Sequence, residues 1–223
     1  MVKVFYILTL LLTTIQLTIA QEIPVPDNYT VIDTVVGDLD NDSIGELVVS
    51  YNHNVKPNDK YLGVPRELII YKLEKGQWTE WKKSGQALYD SEAGGMMGDP
   101  LGLIEIRDGF LLISHSGGSS WKWNFTDKYR FQDGEFYLVG YESLAGKPCQ
   151  YWRDVDFDIS TGHMLVKKEY EDCETEDQEI YKRENEAFYE RGLKISIQKR
   201  LEREIIITTP QYGHEIYISI EIE

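Results

Sequence analysis

Between Gly37 and Val49 the chain reads GDLDNDSIGELVV. Asp38, Asp40 and Asp42 stand at alternate positions, and Glu46 takes the ninth place of the same count. A calcium ion gathers about six to eight hard oxygen ligands at short range. A tight loop can supply them from alternate side chains, then a backbone carbonyl, then a further carboxylate. Here those groups are Asp38, Asp40, Asp42, the Ile44 carbonyl and Glu46. Carboxylates this close repel one another unless a cation lies among them or some turn into water. The competing expectation is an Asp-rich turn that holds itself by side-chain to backbone hydrogen bonds.

The decamer DLDNDSIGEL resembles the FG-GAP and VCBS-type repeat, whose signature D-x-D-x-D-G-x-x-D-L leads into a strand. The resemblance implies a calcium loop in a propeller blade or blade-like unit, with Asp38, Asp40 and Asp42 on the ion. Two positions depart from the signature. Ser43 stands at the glycine of the turn, where φ is strained for serine, and Glu46 replaces an aspartate with a longer side chain. A full propeller needs several repeats and the chain has one such loop, so an integrin-like propeller is not expected.

A second group of chemistry-bearing residues lies between Gly94 and Gly140. His115, Ser116 and Ser119 in HSGGSSWKW offer a base and nucleophiles for hydrolysis. Against this, the strained G-x-S-x-G elbow is missing and no third group is placed to orient His115. The glycines and serines suit a turn equally well. Trp121, Trp123 and Phe125 alternate, which puts all three on one face of a strand. Such a row is either core or a platform for a glycan or a protein. Asp99, before Pro100 and between glycines, is a site residue or a turn former. Asp99, His115, Trp121 and Trp123 are therefore the candidate binding residues. The segments GDPL, HSGGSSWKW and YRFQDGEFYLVG together resemble a family of uncharacterised exported bacterial β proteins. The likeness implies no activity.

The elements that must position these groups read as strands. Val31–Val36, Glu46–Tyr51, Glu67–Leu73 and Trp78–Lys83 form a first antiparallel unit. Leu103–Arg107 with Phe110–His115, and Trp121–Phe131 with Glu135–Tyr141, form hairpins around the Asp-Gly pairs at Asp108 and Asp133. Asp154–Ile159 and Met164–Tyr170 give a further hairpin. The acidic run Glu171–Glu179 reads as a loop, and Glu184–Arg191 as a short helix. Leu193, Ile195 and Ile197 alternate with polar residues, and Ile205–Thr208 is apolar. Ile216, Ile218, Ile220 and Ile222 alternate with polar partners as one half-buried strand. The expected fold is all-β, with antiparallel hairpins packed as a sandwich or stacked small sheets.

Residues 1–20 have the basic start, apolar stretch and small closing residue of an export signal. The expected divisions are 1–20, then 21–91 with the acidic loop, 92–145 with the glycines and aromatics, and 146–223, all packed as one compact body. Export, to a periplasm or outside the cell, makes Cys149 and Cys173 a disulfide pair closing about 25 residues. No other stretch is long and apolar enough to span a membrane. The formal net charge of −15 repels nucleic acid and anionic lipid. It suits cations, basic partners and neutral ligands.

The function expected is that of an exported, non-catalytic binding module for a protein or glycan, with a structural calcium loop. A hydrolase acting on glycan or peptidoglycan is one alternative. An acidic inhibitor or immunity-type protein is another.

Overall fold

The structure is a computed structural model that describes residues 22–55, 63–173 and 179–219. The expected export signal lies outside the described residues, as do Ile220, Ile222 and most of the acidic run. The strands are β1 (Tyr29–Gly37), β2 (Glu46–His53), β3 (Arg66–Glu74), β4 (Gln77–Ser84), β5 (Leu101–Arg107) and β6 (Phe110–Gly118). They continue with β7 (Lys122–Gln132), β8 (Glu135–Lys147), β9 (Tyr151–Asp158), β10 (His163–Asp172), β11 (Glu179–Tyr189), β12 (Ile205–Thr208) and β13 (Glu215–Ser219). The chain is all-β and every sheet pairing is antiparallel.

Three sheets form, ordered β1-β2-β3-β4, β11-β10-β9-β8-β7-β6-β5 and β12-β13. Each of the first two is a meander, so sequence neighbours are sheet neighbours. The tight turns explain this. Lys75-Gly76, Asp108-Gly109 and Asp133-Gly134 all have positive φ at both residues, the geometry whose twist matches paired strands. β8 runs unbroken through residue 145, so the glycine-rich hairpins and the C-terminal hairpins share one seven-stranded sheet.

The inner face of the large sheet is apolar. Leu111, Ile113, Phe125, Tyr129, Phe136, Leu138, Val155, Phe157, Met164 and Val166 alternate inward along five strands and are buried. Each such side chain contributes roughly 1.5–3 kcal/mol when removed from water. Two separate pieces cover this face. The small sheet brings Val48, Leu68 and Ile70, and Trp81 packs 4.4 Å from Phe131 and 5.3 Å from Phe136. At Gly37 a Cβ would lie 2.6 Å from Ile106, so only glycine lets β1 approach β5 this closely. Further along, the β12–β13 hairpin lays Ile207, Ile216 and Ile218 into the same core. The result is a sandwich with one sheet broad and the other layer in two parts.

The helix expected over Glu184–Arg191 is a strand. β11 pairs with β10 from Glu179 to Tyr189. Glutamates and alanine favour helix locally, but Glu184, Glu186 and Phe188 alternate toward the core. Pairing with an open strand edge outweighs that propensity. Charged side chains pointing inward from an edge strand also oppose sheet-to-sheet aggregation. The alternation at Leu193, Ile195 and Ile197 is not a strand either. Ser196 makes one bridge to Tyr137, and Ile197–Lys199 is a single 3-10 turn.

Cys149 and Cys173 form a disulfide, with Cα atoms 5.2 Å apart. It ties the β8–β9 turn to the end of β10, where Glu171 N–H also donates to the Gln150 carbonyl at 3.0 Å. Among the described residues no helix is long and apolar enough to cross a membrane.

Candidate functional site

The acidic loop joins β1 to β2. One carboxylate oxygen from each of Asp38, Asp40 and Asp42 lies within 4.8 Å of the others. The loop is also tied by its own side chains. Asp38 accepts the Asn41 and Ser43 amides at 2.7 and 2.9 Å, and Asp42 accepts the Ile44 amide at 2.7 Å. Ser43 and Asn41 have φ of 69° and 64°. Ser43 therefore stands in the left-handed conformation that favours glycine, at some cost in strain.

Glu46 is buried in the molecule and is not one of the three grouped carboxylates. It is 1% exposed, and its Oε2 accepts the Leu39 amide at 2.7 Å. Burial raises its pKa, while the Leu39 amide opposes the rise. Sequence spacing did not reveal the loop's other partner, Lys72 on β3. Its ammonium bonds Asp40 and lies 4.0 Å from Glu46 Oε1. It also sits 4.1 Å from the Trp81 ring centroid. Burial works against the Lys72 charge, but Asp40 more than offsets this and raises its pKa. The three carboxylates could hold a metal ion, whereas one of them is shared with an ammonium group and Glu46 is committed elsewhere.

Asp99 and His115 are not brought together as a reacting pair. Asp99 holds the buried Arg66 of β3 through both its oxygens and accepts the Leu101 amide at 2.9 Å. Its pKa is lowered, chiefly by the Arg66 hydrogen bond. This clamp fixes the small sheet to the start of β5. His115 faces the core and is 2% exposed. Its ring packs beside Tyr89 and Phe125, at 5.2 and 5.1 Å. Burial pushes its pKa down to about 3. A neutral imidazole under an aromatic layer cannot reach a substrate without a large rearrangement.

The aromatic row divides. Trp121 precedes β7, is 43% exposed and leans on Tyr151 at 5.2 Å. Trp123 and Phe125 turn inward and stack at 5.9 Å. Trp123 lines a mainly apolar cavity of about 310 Å³ with Tyr89, Phe125, Ile216 and Ile218.

A larger cavity lies on the opposite face of the seven-stranded sheet. It is a trough of about 620 Å³ across β5 to β9. Its floor follows the strand register. One row runs Leu112, Lys128, Gly140, Asp158, and the next runs Ser114, Thr126, Glu142, Asp156. Lys128 and Arg130 both lie over the Phe110 ring, at 4.0 and 4.5 Å. A register shift in β7–β8 between Lys128 and Tyr129 interrupts the ladder beside Gly140. Such bulges bend and twist a strand. None of these polar residues stood out by type or spacing. The available signal was their alternation with Phe125, Tyr129 and Phe131, which marks them as the other face.

No family model, curated protein or solved structure matches the chain. The geometry alone must carry the functional reading.

Proposed function

We propose that the chain is an exported module that binds a glycan in the trough of its large sheet. The observation that carries this reading is the trough itself, with hydroxyls, carboxylates and cations in register on one surface. Ser114 and Thr126 offer hydroxyls, Glu142 and Asp156 accept hydrogen bonds, and Lys128 and Arg130 donate them. Such a surface suits a neutral, many-hydroxyl ligand better than an apolar one. The disulfide and the leader-like N-terminal sequence support export. The burial of His115 supports a binding role over a His-Ser hydrolase.

The test is a screen of cell-surface glycans against the protein and its Gly140→Arg variant. The three atoms nearest a Cβ at Gly140 all belong to the Lys128 side chain, at 3.4 Å or more, so a side chain can start there toward the trough at ordinary contact distance. Binding lost in the folded variant is the expected result. Binding retained would place the ligand elsewhere and sink the proposal.

A second reading, glycan hydrolysis, has one observation in its favour. Glu142 and Asp156 are direct cross-strand partners in the trough. Retaining glycosidases hold two carboxyl groups about 5–5.5 Å apart, and cross-strand neighbours on one face are close enough for their side chains to interact. Turnover of a bound glycan, abolished by Glu142→Gln, would replace the binding reading with this one.

We also propose that the loop of Asp38, Asp40 and Asp42 holds a structural calcium ion, in competition with Lys72. Calcium should then raise the melting temperature relative to chelator. Lys72→Met should enlarge that rise by freeing Asp40, and Asp38→Asn should remove it. Equal melting with and without calcium in both the protein and Lys72→Met would leave a self-sufficient turn.

A further inference from the structure

We infer that the cavity between β7–β9 and β13 is a binding site for a small amphipathic carboxylate. This site is separate from the trough, which opens on the other face of the same sheet, and does not depend on its function. The cavity exists because the inner face is covered by two pieces instead of one. Tyr89 and Ala93 lie in the segment between β4 and β5, while Ile216 and Ile218 belong to the β12–β13 hairpin. Between them the sheet is uncovered. The opening of about 310 Å³ far exceeds the voids of a well-packed core, which rarely hold more than a water. It falls at the lower end of ligand pockets, roughly 300–1,000 Å³.

The walls specify the ligand's body. Tyr89, Trp123 and Phe125 present rings to one another in edge-on and stacked contacts of 5.7 to 5.9 Å. Ile216 and Ile218 are the aliphatic side. An alkyl chain or a small ring fits such surroundings by area alone.

The charges specify its head. Among the described residues no acidic side chain lines this cavity. Its charged lining residue is Arg153, beside Ser143. Arg153 Nη1 donates to the Glu215 carbonyl of β13 at 2.7 Å, which fixes the guanidinium. Its Nε is buried and has no hydrogen-bond partner among the described residues. Buried donors of this kind are rare in folded proteins, and one on a ligand-sized cavity calls for an acceptor. A second guanidinium, already paired with Asp127, stands behind the aromatic wall. Arg200 lies 5.4 Å from the Phe125 ring and 5.8 Å from Tyr141, and its Nη1 is likewise unpartnered. Arg153 favours an anion in the cavity, and the apolar walls require the rest of that anion to be hydrophobic. A carboxylate meets a guanidinium with matched geometry.

The test uses octanoate and, as its uncharged counterpart, 1-octanol, with calorimetry and the methyl resonances of Ile216 and Ile218 as readouts. Octanoate should bind and shift both methyl signals. Arg153→Met keeps the bulk and removes the charge. It should weaken octanoate about tenfold or more, as loss of a charged hydrogen bond does, and leave octanol unchanged. A purely structural role for Arg153 would weaken both ligands alike and overturn the inference. Ala145→Leu fills the cavity from β8 and should abolish both. Octanoate binding that survives in Ala145→Leu, or that leaves the Ile216 and Ile218 methyls unmoved in the unaltered protein, would equally overturn it. The methyl measurement needs no variant, so misfolding of either one does not rescue the idea.

Discussion

Glu184 faces inward from the edge strand β11 and collects three donors. Lys182 Nζ lies 2.5 Å away, Tyr170 donates its hydroxyl at 2.7 Å, and His214 Nε2 is 2.9 Å distant. The Lys182 contact first, then the Tyr170 hydroxyl, pull its pKa down to about 2. The unfolded value is about 4.3, so the folded state favours the ionised form. The stabilisation is present above the unfolded pKa and is lost as pH falls toward about 2. Glu184→Gln should therefore unfold more easily than the unaltered protein at neutral pH. That difference should close between about pH 4 and pH 2, in a series of denaturant titrations. A gap that stays constant across this range would mean the carboxylate's charge is not what holds the His214 loop. Lys72 makes the same point at the acidic loop. A residue distant in sequence decides what a carboxylate can bind.

At the scale of elements, strand pairing explains most of the local conformations. The β8–β9 turn places Cys149 in the left-handed region, with φ of 64°, and directs it toward Cys173. The bridge then fastens the turn across the end of β10. Replacing both cysteines by serine should lower the unfolding free energy by about 3 kcal/mol, as expected for a closed loop of this length. Urea titration in the absence and presence of reductant checks this. Reductant should destabilise the unaltered protein and leave the double variant unaffected. β11 shows the opposite balance of local and tertiary effects. Its glutamates and alanine suit a helix, but the exposed edge of β10 offers a ladder of backbone partners, and the strand wins.

Across the whole molecule, the broad sheet is held to its covering layer by a few polar contacts inside an apolar core. Arg200 and Asp127 are each 1% exposed and bond at 2.6 and 3.0 Å, from positions 73 apart in the chain. Tyr129 adds a hydroxyl donor to the same carboxylate at 3.0 Å. Burial opposes the Arg200 charge, and Asp127 restores it. Breaking such a pair from one side leaves an uncompensated charge. Asp127→Leu should thus cost about 3–5 kcal/mol, while adding Arg200→Met should recover much of the loss, because apolar pairs often replace buried ion pairs without penalty. Thermal melting of the single and double variants distinguishes this from simple crowding. If the double variant were no more stable than the single, shape and not charge would be the cause. The Arg66–Asp99 clamp and the Ser84 hydroxyl on the Ile197 carbonyl, at 2.7 Å, are further ties between the layers.

The sequence by itself determined most of the strands, the tight turns and the disulfide, but not the strand β11. Alternation of apolar residues and the positive-φ chemistry of Asp-Gly act over two or three residues, so they are visible in any short window. For the same reason the acidic loop was legible as a cluster of carboxylates. What occupies its centre was not, because Lys72 arrives on β3 through sheet register. Asp99 and His115 looked available for chemistry, since both stand in glycine-rich segments. Only packing shows Asp99 bound to Arg66 and His115 sealed beneath Tyr89 and Phe125. Trp121 and Trp123 part company because β7 begins between them. The trough and the inner cavity depend on which strands become neighbours and on where two covering pieces fail to meet. Those are properties of long-range assembly, in which each partner lies tens of residues away and no local pattern records the match.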